Sequence, residues 1–178
     1  MDFLTLAKKR CTTRGFMEKE ILSKDLEQIL SAGRVAPTAC NRQPQRIIVV
    51  RRRENMVKVE KAYRTFGAPC ALIVCRDRRG ELIRPYDKKC SGDLDIGIVC
   101  DHMMLAAREL EIGSVMVGLF DPAVITKEFI LPEYLARQRC CSLGIPAKAF
   151  WTQNGTQRRE GRCVKRCGMK RTLSDPTG

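Results

Sequence analysis

Residues 8–14, Lys-Lys-Arg-Cys-Thr-Thr-Arg, place Arg10, Thr12 and Arg14 at alternate positions just after a short amphipathic pattern. In an extended segment alternate side chains point the same way. Two guanidiniums and a hydroxyl on one side make a clamp for a phosphate or a polyol. Taken alone, such a cluster is more often a solvated charged face. The rest of the chain offers little acid–base machinery. His102, the only histidine, falls inside the longest helical pattern, where a lone histidine is usually structural. Asp93 and Asp95 open that pattern and read as acids at the positive end of a helix dipole. No Gly-x-Ser-x-Gly, no Ser-His-Asp order and no Walker loop is present. A clamp without an acid–base pair points to chemistry carried by a cofactor.

A second stretch, Ala36-Pro-Thr-Ala-Cys-Asn-Arg-Gln-Pro ending at Pro44, separates a helical pattern from an apolar strand. Loops that only turn the chain are rich in Gly, Asn and Asp. This one has no glycine. It is shaped to present backbone groups and one amide, that of Asn41.

The elements that position these residues follow from periodicity. A short amphipathic helix covers 3–10. A second helix starts with Ser23 as N-cap, carries apolar positions at Leu26, Ile29, Leu30, Gly33 and Val35–Ala36, and ends at Pro37. Strands are predicted at 46–50, 69–75 and 112–120. A helix is predicted over 54–66, and the longest over 93–111, with Leu94, Ile98, Val99, Met103, Ala106 and Leu110 on its apolar side. Asp121 caps a short helix with Pro122 in its first turn. Residues 77–92 form a polar excursion, a lid or loop. Helices alternating with apolar strands predict one α/β-type domain, a central sheet sandwiched between helices.

Composition limits the alternatives. The chain has 178 residues, 44% hydrophobic and 30% charged, so it is globular. No apolar run approaches the ~20 residues of a membrane helix. The N-terminus has its charges after a short apolar stretch, the reverse of a signal peptide, which predicts a cytoplasmic protein. Ten cysteines lie mostly in apolar patterns, as buried reduced thiols do. Cys140–Cys141 and Cys163–Cys167 lack zinc-ribbon spacing, and no metal is expected. The net charge of +13 invites a nucleic-acid partner. However, between Arg137 and Arg171 there are ten Lys/Arg and one acid, Glu160, so +9 of that charge sits in one stretch. That is a basic tail rather than a basic groove, and no nucleic acid is expected. A basic, cysteine-rich module holding nucleic acid or metal through this tail is the rival reading.

The motifs in order carry a sharper resemblance. Arg-x-Thr-x-Arg at 10–14, then "AGRVAPTACNRQP", then "DLDIGIVCDHMMLAARELEIGS", then a strand ending "VGLFDP" resemble the FMN-dependent nitroreductase family across residues 3–133. The likeness resumes at "LGIPAKAF", 143–150. It implies an α/β (α+β) fold with a central mixed sheet and FMN at a homodimer interface. It also implies ping-pong hydride transfer from NADH or NADPH to an electron-poor acceptor such as a nitroaromatic or quinone. By the same resemblance Arg10, Cys11 and Thr12 hold the phosphate, and Arg14 supports phosphate or ribityl. Pro37, Thr38, Ala39 and Asn41 lie against the flavin, usually from the other subunit. Val117 and Gly118 face the isoalloxazine, with the Gly118 N–H near N5. No side chain is assigned as catalytic, and residues within 77–92 select the acceptor.

Departures are as informative. Gln45 stands where the family often has Trp. Glu111 replaces a common glycine, which costs about 1 kcal/mol if that position needs φ > 0. Residues 134–142 and 151–178 do not fit. Read one base out of step, the codons at Trp151–Thr152 must give Asp, and the next allow Pro, Glu, Arg and His in the family's order. The division expected is therefore 1–150 as the FMN-binding domain and 151–178 as an atypical basic tail, out of frame or disordered, with a diverged genuine tail as the alternative. Three separate slips are needed. A chain so altered could also be an inactive scaffold. The slot at 137–142 holds Arg137, Gln138 and Arg139, which predicts a strand at the sheet edge or arginines that reach solvent or acids.

Overall fold

Every residue of Cys70–Arg76 is buried. A strand with no exposed face needs helices on both sides, and this one has them. The computed structural model describes residues 1–135 and 138–147. The elements in order are α1 (Phe3–Lys9), α2 (Ser23–Val35), a 3-10 turn (Ala39–Asn41), β1 (Gln45–Val50), α3 (Arg53–Glu60), β2 (Cys70–Arg76), α4 (Gly92–Glu109), β3 (Gly113–Val117), α5 (Pro122–Glu128) and β4 (Gln138–Gly144).

The sheet order is β1-β2-β4-β3, and all three ladders are antiparallel. One parallel bridge, Thr12 to Ser114, adds the N-terminal segment to the outer edge of β3 and makes the sheet mixed. Side-chain alternation splits the core in two. Leu72, Val74, Cys141 and Leu143 pack with Leu26 and Ile29 of α2 and Val99, Cys100 and Met103 of α4. Ala71, Ile73, Cys75 and Cys140 pack on the opposite face with Met56, Val59 and Ile125 of α3 and α5. The expected sandwich is thus present, as an α+β arrangement. Helices α2 and α4 approach closely because Gly33 has no side chain; a Cβ there would lie 2.8 Å from Met103 Cγ.

Several local expectations need correction. Ser23 is the first residue of α2 and Leu22 its N-cap, with no side-chain cap, because the Ser23 hydroxyl accepts from Arg51 instead. Leu94 is 68% exposed: the buried stripe of α4 runs through Gly92, Asp95, Ile96, Val99, Cys100, Met103 and Ala107, about half a turn away. Val35 likewise faces out. β4 is an inner strand and not an edge. Its two cysteines behave as small apolar residues, Cys140 on one face and Cys141 on the other. Adjacent strand residues that point apart cannot ligate one metal together. Burial pushes the Cys70, Cys75 and Cys140 thiols up to about 12, so they stay neutral at pH 7. Arg137 and the tail at 151–178 lie outside the described residues.

The polar excursion after β2 is tied down at its root. Arg76 Nε lies 2.9 Å from Glu81 Oε2, and Arg76 Nη1 lies 3.2 Å from Asp93 Oδ1 at the start of α4. This cluster is packed against Gly92, where a Cβ would come within 2.1 Å of Arg76 Cδ. The tip, closed by the Arg84–Asp87 ion pair, leaves Tyr86 exposed.

Candidate functional site

The clamp segment follows directly from α1. Asp2 caps that helix through the Thr5 N–H, and Lys8 and Lys9 complement its C-terminal carbonyls. Arg10 leaves the helix in extended backbone. The Thr13 N–H then donates to the Ser114 carbonyl at 2.9 Å, which pins the segment along β3. Thr13 is buried, so Thr12 and Arg14 are turned outward. Arg10 and Cys11 are half-buried. Among the described residues no carboxylate pairs with Arg10 or Arg14, so both guanidiniums are available to an anion. Arg14 also lines a cavity of about 600 Å³ with Tyr63, Arg64, Phe66 and Gly67, on the α3 side of the clamp.

Val117 lies three residues beyond Ser114 on the same strand, about 10 Å at ~3.3 Å per residue. Gly118 follows it, and a Cβ built there would meet no atom within 4 Å. Clamp and Gly118 therefore lie along one edge strand, with open space at its far end.

The loop at Pro37–Asn41 is held by side chains. Buried Asp95, 2% exposed, accepts from the Ala39 N–H at 2.9 Å and from the Ser91 hydroxyl at 2.7 Å. Its reading as a helix-dipole acid misses this role: it is the loop's anchor, 56 residues away in sequence. Thr38 Oγ1 accepts from the Gln43 N–H at 3.0 Å. Cys40, Asn41 and Gln43 all adopt positive φ, near 50°. Only Asn is commonly tolerated there, so the loop stores strain that these bonds hold in place. An amide relay runs along it: Gln45 Nε2 donates to Gln43 Oε1 at 2.6 Å, and Gln43 Nε2 donates to Asn41 Oδ1 at 2.9 Å. The relay ends with the exposed Asn41 NH2 group, which has no partner among the described residues. Gln45 thus does a job that the Trp-to-Gln departure does not reveal. Its own Oε1 is buried without a partner.

No hydrogen bond or ion pair among the described residues joins 36–43 to 10–14 or to 117–118. His102 Nδ1 sits 3.0 Å from the Ile98 carbonyl of its own helix, a structural position.

The Nitroreductase family model matches residues 7–65 and 58–145, most of the chain. The chain belongs to the nitroreductase family. A relative from Archaeoglobus fulgidus, named provisionally as an NADH dehydrogenase/NAD(P)H nitroreductase, is 34% identical over 154 residues, spanning 82% of this chain and 86% of its own. A crystal structure of a nitroreductase family protein from Clostridium difficile 630 superposes with a TM-score of 0.88 at 38% identity, covering 100% of both chains. A Desulfovibrio desulfuricans protein, described provisionally as a nitroreductase in complex with FMN, shares the fold at a TM-score of 0.69 and 23% identity, over 82% of this chain and 86% of its own. The fold expected from the resemblance is the nitroreductase fold observed. Among the described residues no helix is long and apolar enough to cross a membrane.

The residues present suit FMN as a donor set. Arg10, Thr12 and Arg14 offer guanidiniums and a hydroxyl to a phosphate. Open Gly118 admits a flat ring to the backbone, and Asn41 offers an amide to a polar ring edge.

Proposed function

We propose that this chain is an NAD(P)H-dependent flavin oxidoreductase: a cytoplasmic homodimer that binds one FMN per subunit and passes electrons, ping-pong, to an electron-poor acceptor such as a nitroaromatic or quinone. The observation that carries this reading is the alignment along β3 of an Arg-x-Thr-x-Arg clamp, with no carboxylate partner among the described residues, with the open backbone of Val117–Gly118. Bound FMN supplies two-electron chemistry, accepting from the nicotinamide in one half-reaction and donating to the acceptor in the next. The chain's own groups bind and orient. Arg10, Thr12 and Arg14 fix the phosphate end, with the Cys11 backbone beside them. The Gly118 N–H is a backbone donor for charge that develops on the ring. Pro37, Thr38, Ala39 and Asn41, held rigid by Asp95, close the site from the partner subunit.

Exposed apolar side chains support the dimer. Phe3 and Leu4 on α1, Val35 at the end of α2, Leu94 at the start of α4 and Leu119 after Gly118 all face out, Leu119 at 93%. In the chain they flank both half-sites, and exposed apolar side chains beside an incomplete site suit burial against a partner. Residues 1–150 form the FMN-binding unit in this reading, with 151–178 a separate basic tail. The test is anaerobic. Holoprotein mixed with NADH or NADPH should bleach its flavin absorbance, and a quinone or nitroaromatic added afterwards should restore it. A flavin that neither cofactor reduces would overturn the assignment.

A further inference from the structure

We propose that Arg139 is a further cation of the cofactor site, placed to stabilise negative charge on the bound flavin ring. The proposal rests on the FMN reading above. Val117 pairs with Cys140 in the β3–β4 ladder, so the next position along β4, Arg139, comes opposite Gly118. The β2–β4 ladder pairs Arg139 with Val74, and β1 pairs Ile47 with Val74. Ile47, Val74, Arg139 and Gly118 therefore form one row across the sheet, on the face that α2 and α4 cover.

Arg139 is half-buried on an inner strand, and its two row neighbours toward β1 are aliphatic. No described residue gives its guanidinium a hydrogen bond or ion pair. The acids of α4 near this end of the sheet are engaged elsewhere: Asp93 with Arg76, and Asp95 with Ala39 and Ser91. A half-buried, unpaired guanidinium is costly unless an anion meets it. The open space lies beside it, at Gly118. A ring stacked on Gly118 would bring that anion, because the reduced isoalloxazine is negatively charged and the oxidised one is neutral. A fixed cation there favours the reduced state. Its effect falls on the redox equilibrium more than on binding of oxidised FMN.

The experiment compares holoproteins of the parent, R139L, R139Q and R139K for three quantities: the FMN dissociation constant, the midpoint potential of the bound flavin, and the affinity for sulfite. Sulfite adds its sulfur lone pair to flavin N5 and leaves the negative charge on the ring, so it reports the same electrostatics without turnover. R139L and R139Q should bind oxidised FMN within about threefold of the parent, while their potentials move to more negative values and sulfite binds about tenfold more weakly. R139K should recover most of both shifts. FMN-loaded R139L or R139Q with the parent's potential and sulfite affinity would overturn the proposal while leaving the FMN reading intact. A parent that takes up no FMN would overturn both. Where R139L and R139Q do not fold, R139M keeps an unbranched apolar stem without the charge, and FMN-loaded R139M with the parent's potential and sulfite affinity would overturn the proposal.

Discussion

The two loops that form the candidate site are built in opposite ways. The clamp at 10–14 is fixed by its backbone, through the Thr13 N–H and the bridge to Ser114, which leaves its side chains free. The loop at 36–43 is fixed by side chains, through Asp95, Thr38 and Gln43, in a backbone with three positive φ angles. The first arrangement offers mobile charges to a phosphate. The second offers a stiff surface to a flat ring, and its stiffness depends on a carboxylate in another helix. Damage to the clamp should weaken binding and spare the fold, whereas damage to the loop's anchor should cost both.

The largest effect is expected at that anchor. Asp95→Ala leaves the part-buried Ala39 N–H and Ser91 hydroxyl without this acceptor and should lower stability by about 3 kcal/mol, from two hydrogen bonds to a charged group. Urea unfolding would measure it. A loss near zero would mean that the loop is held by something else.

Arg10→Ala should act on the other half alone. FMN affinity should fall by roughly 2 kcal/mol, the worth of a charge-assisted hydrogen bond, with the unfolding midpoint hardly moved. Equilibrium dialysis against FMN gives the first quantity, and a variant that unfolds early would blur the contrast between the loops.

Asp77 sharpens the comparison at the loop's far end, where its N–H donates to the Pro44 carbonyl and its side chain takes three bonds from Arg79. The Arg79 side-chain bonds hold its carboxyl below the ordinary 3.8. A depressed carboxylate adds stability that is present above the unfolded-state value and is lost as pH falls through the folded-state value. Asp77→Asn should therefore be less stable than the parent at pH 7, and the gap should start to shrink near pH 4 and close once the pH is below the folded-state value. A gap that is constant with pH would show that the charge plays no part.

The smallest effect belongs to neither loop. Glu111 precedes β3 with φ of 59°. Glu111→Gly should raise stability by about 0.5–1 kcal/mol and leave FMN affinity unchanged.

The same contrast explains what the sequence made legible. The outward placement of Thr12 and Arg14 around buried Thr13 could be read because alternation in an extended segment fixes where side chains point. Strand β2 could be read because a seven-residue apolar run admits few other meanings. The strain at Glu111 was legible only through the resemblance, because the family commonly has a glycine at that position. The anchor was not, because Asp95 at a helix start has a sufficient local explanation in the dipole, and its bond to Ala39 spans 56 residues. Leu94 faces out although it is apolar and spaced i, i+4 from Ile98, because the true stripe is set by Gly92 and Asp95, residues that hydrophobic periodicity does not count. Nor could the inner position of β4 be read. Arg139 argued for an edge, yet Cys140 and Cys141 are small enough to fill both core faces around it.

The most direct test of the central claim is the visible spectrum and solution mass of the purified chain after incubation with FMN. A flavin spectrum at one FMN per chain, carried by a particle of twice the 20.2 kDa chain mass, is the predicted result. A protein that stays colourless, or a monomer that holds FMN at full affinity, would contradict a site assembled from the clamp of one subunit and the Asp95-anchored loop of the other.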